Sequence, residues 1–209
     1  MMLPDGNIVI FSNPLKLKLN EKEFHNMNRS TLDKLISSAG LLVAVVLLAA
    51  SAALFWTHSF VHGQVHDQLA AEKINFPEAG TESITSLPAD DQSKVAQYAG
   101  QQLLTGAQAE VFADHFIGVH LKAIGGGKTY AELSSAALAD PTNTKLAGQV
   151  QTVFRGETLR GLLLNAYAFD TMAVVANYAG MGALAAGAVL LILSVLGFWH
   201  AGLAASKRR

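Results

Sequence analysis

The 209-residue sequence contains no cysteine. That absence excludes disulfides, thiolate zinc sites, iron–sulfur clusters and a lipoprotein anchor. Any folded part must hold together by packing alone. Charge is scarce as well, at 15% of residues against ~25% in an average soluble domain. The two signs nearly cancel, at a formal net charge of −1, so nothing electrostatic favours nucleic acid as a partner. Hydrophobic residues reach 51%. This balance argues against a disordered chain and against an ordinary cytosolic globule, and for a membrane protein. The length predicts one domain with additions, not two large domains.

The missing charge is concentrated. No Asp, Glu, Lys or Arg occurs from Leu35 to His66, and none from Thr171 to Ser206. A bilayer core about 30 Å thick takes about 20 apolar residues as a helix. Ile36–Phe55 and Tyr178–Trp199 each meet that length. Trp56 and Trp199 sit at the ends of these windows, where an amphipathic ring favours the interface.

Lys16, Lys18, Lys22, Arg29 and Lys34 precede the first span, and Lys207, Arg208 and Arg209 follow the second. The loop between holds seven basic residues against twelve acidic ones. The positive-inside rule therefore predicts both termini in the cytoplasm and the loop outside. The expected parts are a cytoplasmic arm (1–34), a first transmembrane helix (35–57), an extracytoplasmic domain (58–170), a second transmembrane helix (171–203) and a basic cytoplasmic tail (204–209).

Ala50-Ser51-Ala52 resembles a signal cleavage site, but the basic region before it is far longer than a normal n-region, so an uncleaved anchor is expected. Residues 1–26 lack periodicity and carry Pro4, Gly6 and Pro14. They read either as an arm or as sequence upstream of a start at Met27.

The outer loop reads as all-α. Phe60, Val61, Val65, Leu69 and Ile74 extend the first span's helix beyond the membrane, and Pro77, Gly80 and Pro88 break it. Asp90 or Asp91 is expected to cap the next helix. Val111, Phe112, His115, Phe116, Val119 and Ile124 form an apolar stripe that Gly125-Gly126-Gly127 ends. Thr129 and Glu132 have the spacing of a capping box. Asp140-Pro141 stops that helix, and another leads into the second span with a kink expected at Gly156. Alternating β-branched runs are few.

Small residues four apart predict where the spans meet: Gly40 and Ala44 in the first, Ala179, Ala183 and Gly187 in the second. The partner of these faces is the other span, a second copy of the chain, or another membrane protein.

Several groups could carry chemistry. His58, His62 and His66 form one helical stripe just beyond the first span, with Asp67 beside it. Imidazoles at that spacing can share a metal, sense pH, or simply line an interface. His115 and His120, five apart, do not share a face cleanly. Arg155 and Arg160 could bind a lipid phosphate or an anionic partner, while Glu157 can instead pair with Arg160. Gly125-Gly126-Gly127-Lys128-Thr129 has part of a phosphate-loop pattern, but Lys122 stands where the first glycine belongs and a helix precedes it. A helix stop followed by a cap accounts for the same residues. No cofactor and no catalytic constellation can be read from spacing.

Gly127-Lys128-Thr129-Tyr130-Ala131-Glu132-Leu133 and the run from Phe154 to Tyr167 (FRGETLRGLLLNAY) resemble stretches in a family of small actinobacterial membrane proteins. The resemblance covers roughly residues 35–205. It implies two membrane helices around a helical outer loop. Some members are labelled aromatic ring-opening dioxygenases, an activity that generally uses non-haem iron on two histidines and a carboxylate. The matching stretches contain no histidine. The expected function is that of a non-catalytic accessory or scaffold subunit in the membrane, with the lipid bilayer and another membrane protein or a second copy as partners. An outer metal- or pH-responsive sensor built on the histidine stripe is the alternative, and an enzyme of the family's label a further one.

Overall fold

The computed structural model describes residues 29–206, with side chains from 31 to 203. The expected arm up to residue 28, the Met27 start and the basic end of the chain lie outside these. Among the described residues the fold is helical and contains no strand, only an isolated bridge between Asn75 and Gln102.

Two helices dominate. Helix α1 (Arg29–Glu72) has 44 residues and is about 66 Å long at 1.5 Å per residue. Helix α7 (Thr144–Ser206) has 63 residues, or about 95 Å. Both are long and apolar enough to cross a membrane, and only 11% of each most apolar window is buried. A core helix of a soluble protein would be mostly buried. The prolines explain the uninterrupted length, because all three among the described residues lie outside the helices, at 77, 88 and 141. Helix α1 stops at Lys73, whose φ of 53° is left-handed. Helix α7 starts where the Asn143 side chain accepts the Leu146 N–H at 3.0 Å. Gly156 does not break α7. Its missing Cβ gives room to the Leu121 side chain.

Many buried positions on the long helices are spaced by seven residues or a multiple of seven. Ser37, Ala44, Ser51 and Val65 are buried on α1. Ala173, Gly180, Gly187, Ser194 and Ala201 are buried on α7. This is a coiled-coil seam made mostly of small residues, which lets helix backbones approach closely.

The chain divides into two compact units. In the first, residues 29–49 and 183–206 run antiparallel. Gly197 lies against Ser37, Gly40 against Ser194, and Gly187 against Ala44 and Leu48. Leu42, Val45, Val46, Leu184, Val189, Ile192 and Val195 stay exposed. Gly40, Ala44 and Gly187 lie where the two helices touch, Ala183 is half-buried and Ala179 is exposed. The next residue, Gly180, is buried.

The second unit, Ala50–Gly182, holds the short helices: α2 (Glu82–Thr85), α3 (Ala89–Ala96), α4 (Gly106–Val111), a π-helical segment (Phe112–Ile117), α5 (Gly118–Ile124) and α6 (Tyr130–Ala139). One apolar cluster joins Val65 and Leu69 of α1 to Ile84, Leu87, Val95, Leu103, Phe112, Ile117 and Leu121, and to Leu163 of α7. Phe76 meets Phe112 edge-on, with ring centroids 5.1 Å apart. At the N-terminus of α6 the Thr129–Glu132 capping box forms as its spacing predicts. Gly126 and Gly127, at φ 61° and 78°, follow α5 as its stop. At α3 the expectation fails. Pro88 takes the cap position and makes no side-chain bond, while Asp90 and Asp91 fall in the first turn. Their charge meets the positive end of the helix dipole there. Gly106 opens α4, behind a second capping box made by Thr105 and Gln108.

Candidate functional site

The polar site with the most elements converging on it centres on Asp170. Two turns of α1 place His58 and His62 on one face, since residues four apart stack on a helix. Their rings do stack, with centroids 5.6 Å apart and planes within 19°. His62 Nδ1–H donates to Asp170 Oδ1 at 2.6 Å, and His58 Nδ1–H donates to the Ala173 carbonyl at 2.9 Å. The other Asp170 oxygen accepts the Gly106 N–H at 3.1 Å. Asp170 therefore joins α1, α7 and the first turn of α4.

Burial makes this connection matter. Asp170 is buried, and a buried carboxylate is stable only when its oxygens are bonded. Here both are, one by an imidazole and one by a backbone amide. Gly106 is required by geometry: any Cβ there would fall onto Asp170 Cβ and lie 2.7 Å from Oδ2. The small residue thus serves a close approach.

The arrangement fixes the ring chemistry. With Nδ1 of both histidines acting as donor, each neutral ring keeps its lone pair on Nε2. His62's side chain is 47% exposed. A donor at Nδ1 held by a carboxylate or carbonyl is the usual support behind a metal-ligating imidazole. His66 behaves differently. It is exposed and reaches only its neighbour Asp67, at 3.2 Å. The stripe of three is therefore a stacked pair plus a separate residue. Among the described residues no group of three or more His, Asp or Glu is placed to share a metal ion.

Comparison with family models, with curated proteins and with solved structures gives no match. An iron held by two histidines and a carboxylate would need His58, His62 and Asp170 to converge as ligands. Asp170 instead stands behind His62 Nδ1, with both oxygens engaged. The residues present do not fit that iron site.

Two further polar groups flank the π-helical segment, which presents successive residues to different neighbours. Asp114 accepts two bonds from Arg160, from Nη2 at 2.7 Å and Nε at 3.2 Å. Glu157 accepts from Arg160 Nη1 at 3.3 Å. These bonds, Asp114's first, hold the Arg160 pKa above its ordinary value. The expected Glu157–Arg160 pair is present, whereas Arg155 is exposed and has no ion pair among the described residues. The two arginines are not brought together as one anion clamp. His115 Nδ1–H donates to Asp91 Oδ1 at 2.6 Å, and its Nε2 accepts from Lys94 at 3.0 Å. His120 Nδ1–H donates to the Phe116 carbonyl at 2.7 Å.

The sequence points to the histidines but not to Asp170, Gly106 or Asp114, nor to the bond between Asp91 and His115. Asp170 did carry one signal: it is the last charged residue before the second charge-free block.

Proposed function

We propose that this chain is a non-catalytic two-pass protein of the bacterial cell membrane that acts as an accessory or scaffold subunit. The observation that carries the reading is the division of faces on α1 and α7. Small residues form the seam, while large apolar residues such as Leu42, Val46, Val189 and Ile192 are left exposed. Apolar faces of that size are stable against lipid or against other membrane helices. Both termini are cytoplasmic in this reading, and residues 58–170 form an outer helical domain that meets a partner. The partner is another membrane protein or a second copy of the chain. Solubilisation in mild detergent followed by affinity purification tests it. A stoichiometric second component, or a defined homo-oligomer, is the expected outcome, and a lone monomer contradicts the reading.

A second reading, an outer sensor of metal or proton, is favoured by the His58–His62–Asp170 arrangement. Imidazoles change charge between about pH 5 and 8, and here they bind elements of both long helices. Metal content of the purified chain, and its far-ultraviolet and thermal behaviour between pH 5 and 8, test this reading against His62→Ala. Identical behaviour of the two proteins, with no metal in either, ends it.

A further inference from the structure

Lys122 at the end of α5, Lys128 in the glycine turn and Arg160 on α7 come from three separate segments, and they line one cavity of about 390 Å³. That size suits a small molecule. Asp114 and Glu157 line it too, but both carboxylates are engaged by Arg160. Among the described residues neither lysine ammonium is ion-paired. Lys128 acts at longer range on Glu132, whose carboxylate is already bonded to Thr129. Three cations against two carboxylates leave the lining one positive charge in surplus, which favours an anion there.

Gly127 and Gly118 line the cavity. Gly127, at φ 78°, shapes the turn, and its N–H is already given to the Lys122 carbonyl, so the side-chain cations are the donors left for a ligand. Three of the five Arg160 N–H groups are used on Asp114 and Glu157, which leaves two. The glycine–lysine–threonine run that is an incomplete phosphate loop in sequence thus lies on the same cavity as two more cations.

We propose that this cavity binds a phosphate group, held by Lys122, Lys128 and the spare donors of Arg160. Cations approaching from three segments match an anion with several oxygens in different directions. A planar carboxylate is served by a single arginine fork. The phosphate comes from a small soluble phosphate compound or from a phospholipid headgroup. The site does not depend on the scaffold reading.

The test uses the full chain in neutral detergent. Inorganic phosphate and short-chain phosphatidylglycerol are titrated separately by calorimetry into the wild type, Lys122→Met, Lys128→Met, the double variant and the remote control Lys145→Met. Both cavity lysines are exposed, so the variants should fold, and unchanged melting confirms it. At least one probe binds the wild type, each cavity substitution weakens it about tenfold, and Lys145→Met leaves it unchanged. Binding of inorganic phosphate assigns a soluble ligand, and binding of phosphatidylglycerol alone assigns a headgroup. Failure of both probes to bind, or equal binding by the double variant, overturns the proposal.

Discussion

His62 on α1 donates its Nδ1–H to Asp170 on α7 across 2.6 Å, a contact between residues 108 positions apart. Asp170 also accepts the Gly106 N–H, so one buried carboxylate fixes three elements of the Ala50–Gly182 unit. Its removal leaves a ring and a backbone amide without their acceptor.

Asp170→Ala should lower stability by about 1–3 kcal/mol, the cost of unpaired buried donors. Asp170→Asn should cost less, because the amide oxygen can still serve one of the two donors. Thermal unfolding in detergent measures both. Amide exchange at Gly106 should rise in Asp170→Ala, and unchanged exchange there contradicts the assigned bond.

Gly106→Ala and Gly182→Ala should differ in sign. A methyl at 106 meets Asp170, whereas nothing lies within 4 Å of one at 182. The first should destabilise by about 1–3 kcal/mol and the second should be neutral or stabilise slightly. Equal melting temperatures would remove the close approach from the account.

The seam makes a similar contrast. A Cβ on Gly187 would lie 3.1 Å from the Leu48 side chain and 3.3 Å from the Ala44 carbonyl oxygen, while Ala179 is exposed. Because the chain has no native cysteine, Gly40→Cys with Ser194→Cys reports pairing cleanly. A disulfide should form between them, fall sharply with Gly187→Ile added, and persist with Ala179→Ile. Loss with Ala179→Ile instead would restore the four-residue packing.

The difference between Ala179 and Gly180 shows what the sequence carried and what it did not. Long charge-free blocks, the Thr129–Glu132 box and the triple glycine are local patterns, and each corresponds to a feature of the fold. A run rich in alanine and glycine offers several small-residue registers at once. Only the facing helix selects one, and it selected every seventh residue. Asp90 and Asp91 have the right chemistry for a cap, yet Pro88, which cannot continue a helix backwards, moved the boundary. The Asp170 network, the Asp114–Arg160 pair and the π-helical segment all depend on partners distant in the chain, so no local window reveals them.

Glu132 supplies the pH dependence. Hydrogen bonds from the Thr129 backbone and then its side chain hold its carboxyl below the ordinary value of 4.5. A depressed carboxyl stabilises above its unfolded value, and that contribution fades as pH falls through the folded one. Wild type should therefore melt above Glu132→Gln at neutral pH, with the gap closing in acid. Thr129→Ala should cost about 1 kcal/mol. A gap that widens in acid contradicts the capping role.

The most direct test of the account is the side of the membrane on which each part lies. Ser135 is exposed on α6 and Thr31 on the first turn of α1, so single substitutions Ser135→Cys and Thr31→Cys place unique thiols. Labelling of intact cells with a membrane-impermeant maleimide should modify the cysteine at 135 at once and the one at 31 only after permeabilisation. Labelling of both in intact cells, or of 31 alone, would contradict a two-pass protein with residues 58–170 outside.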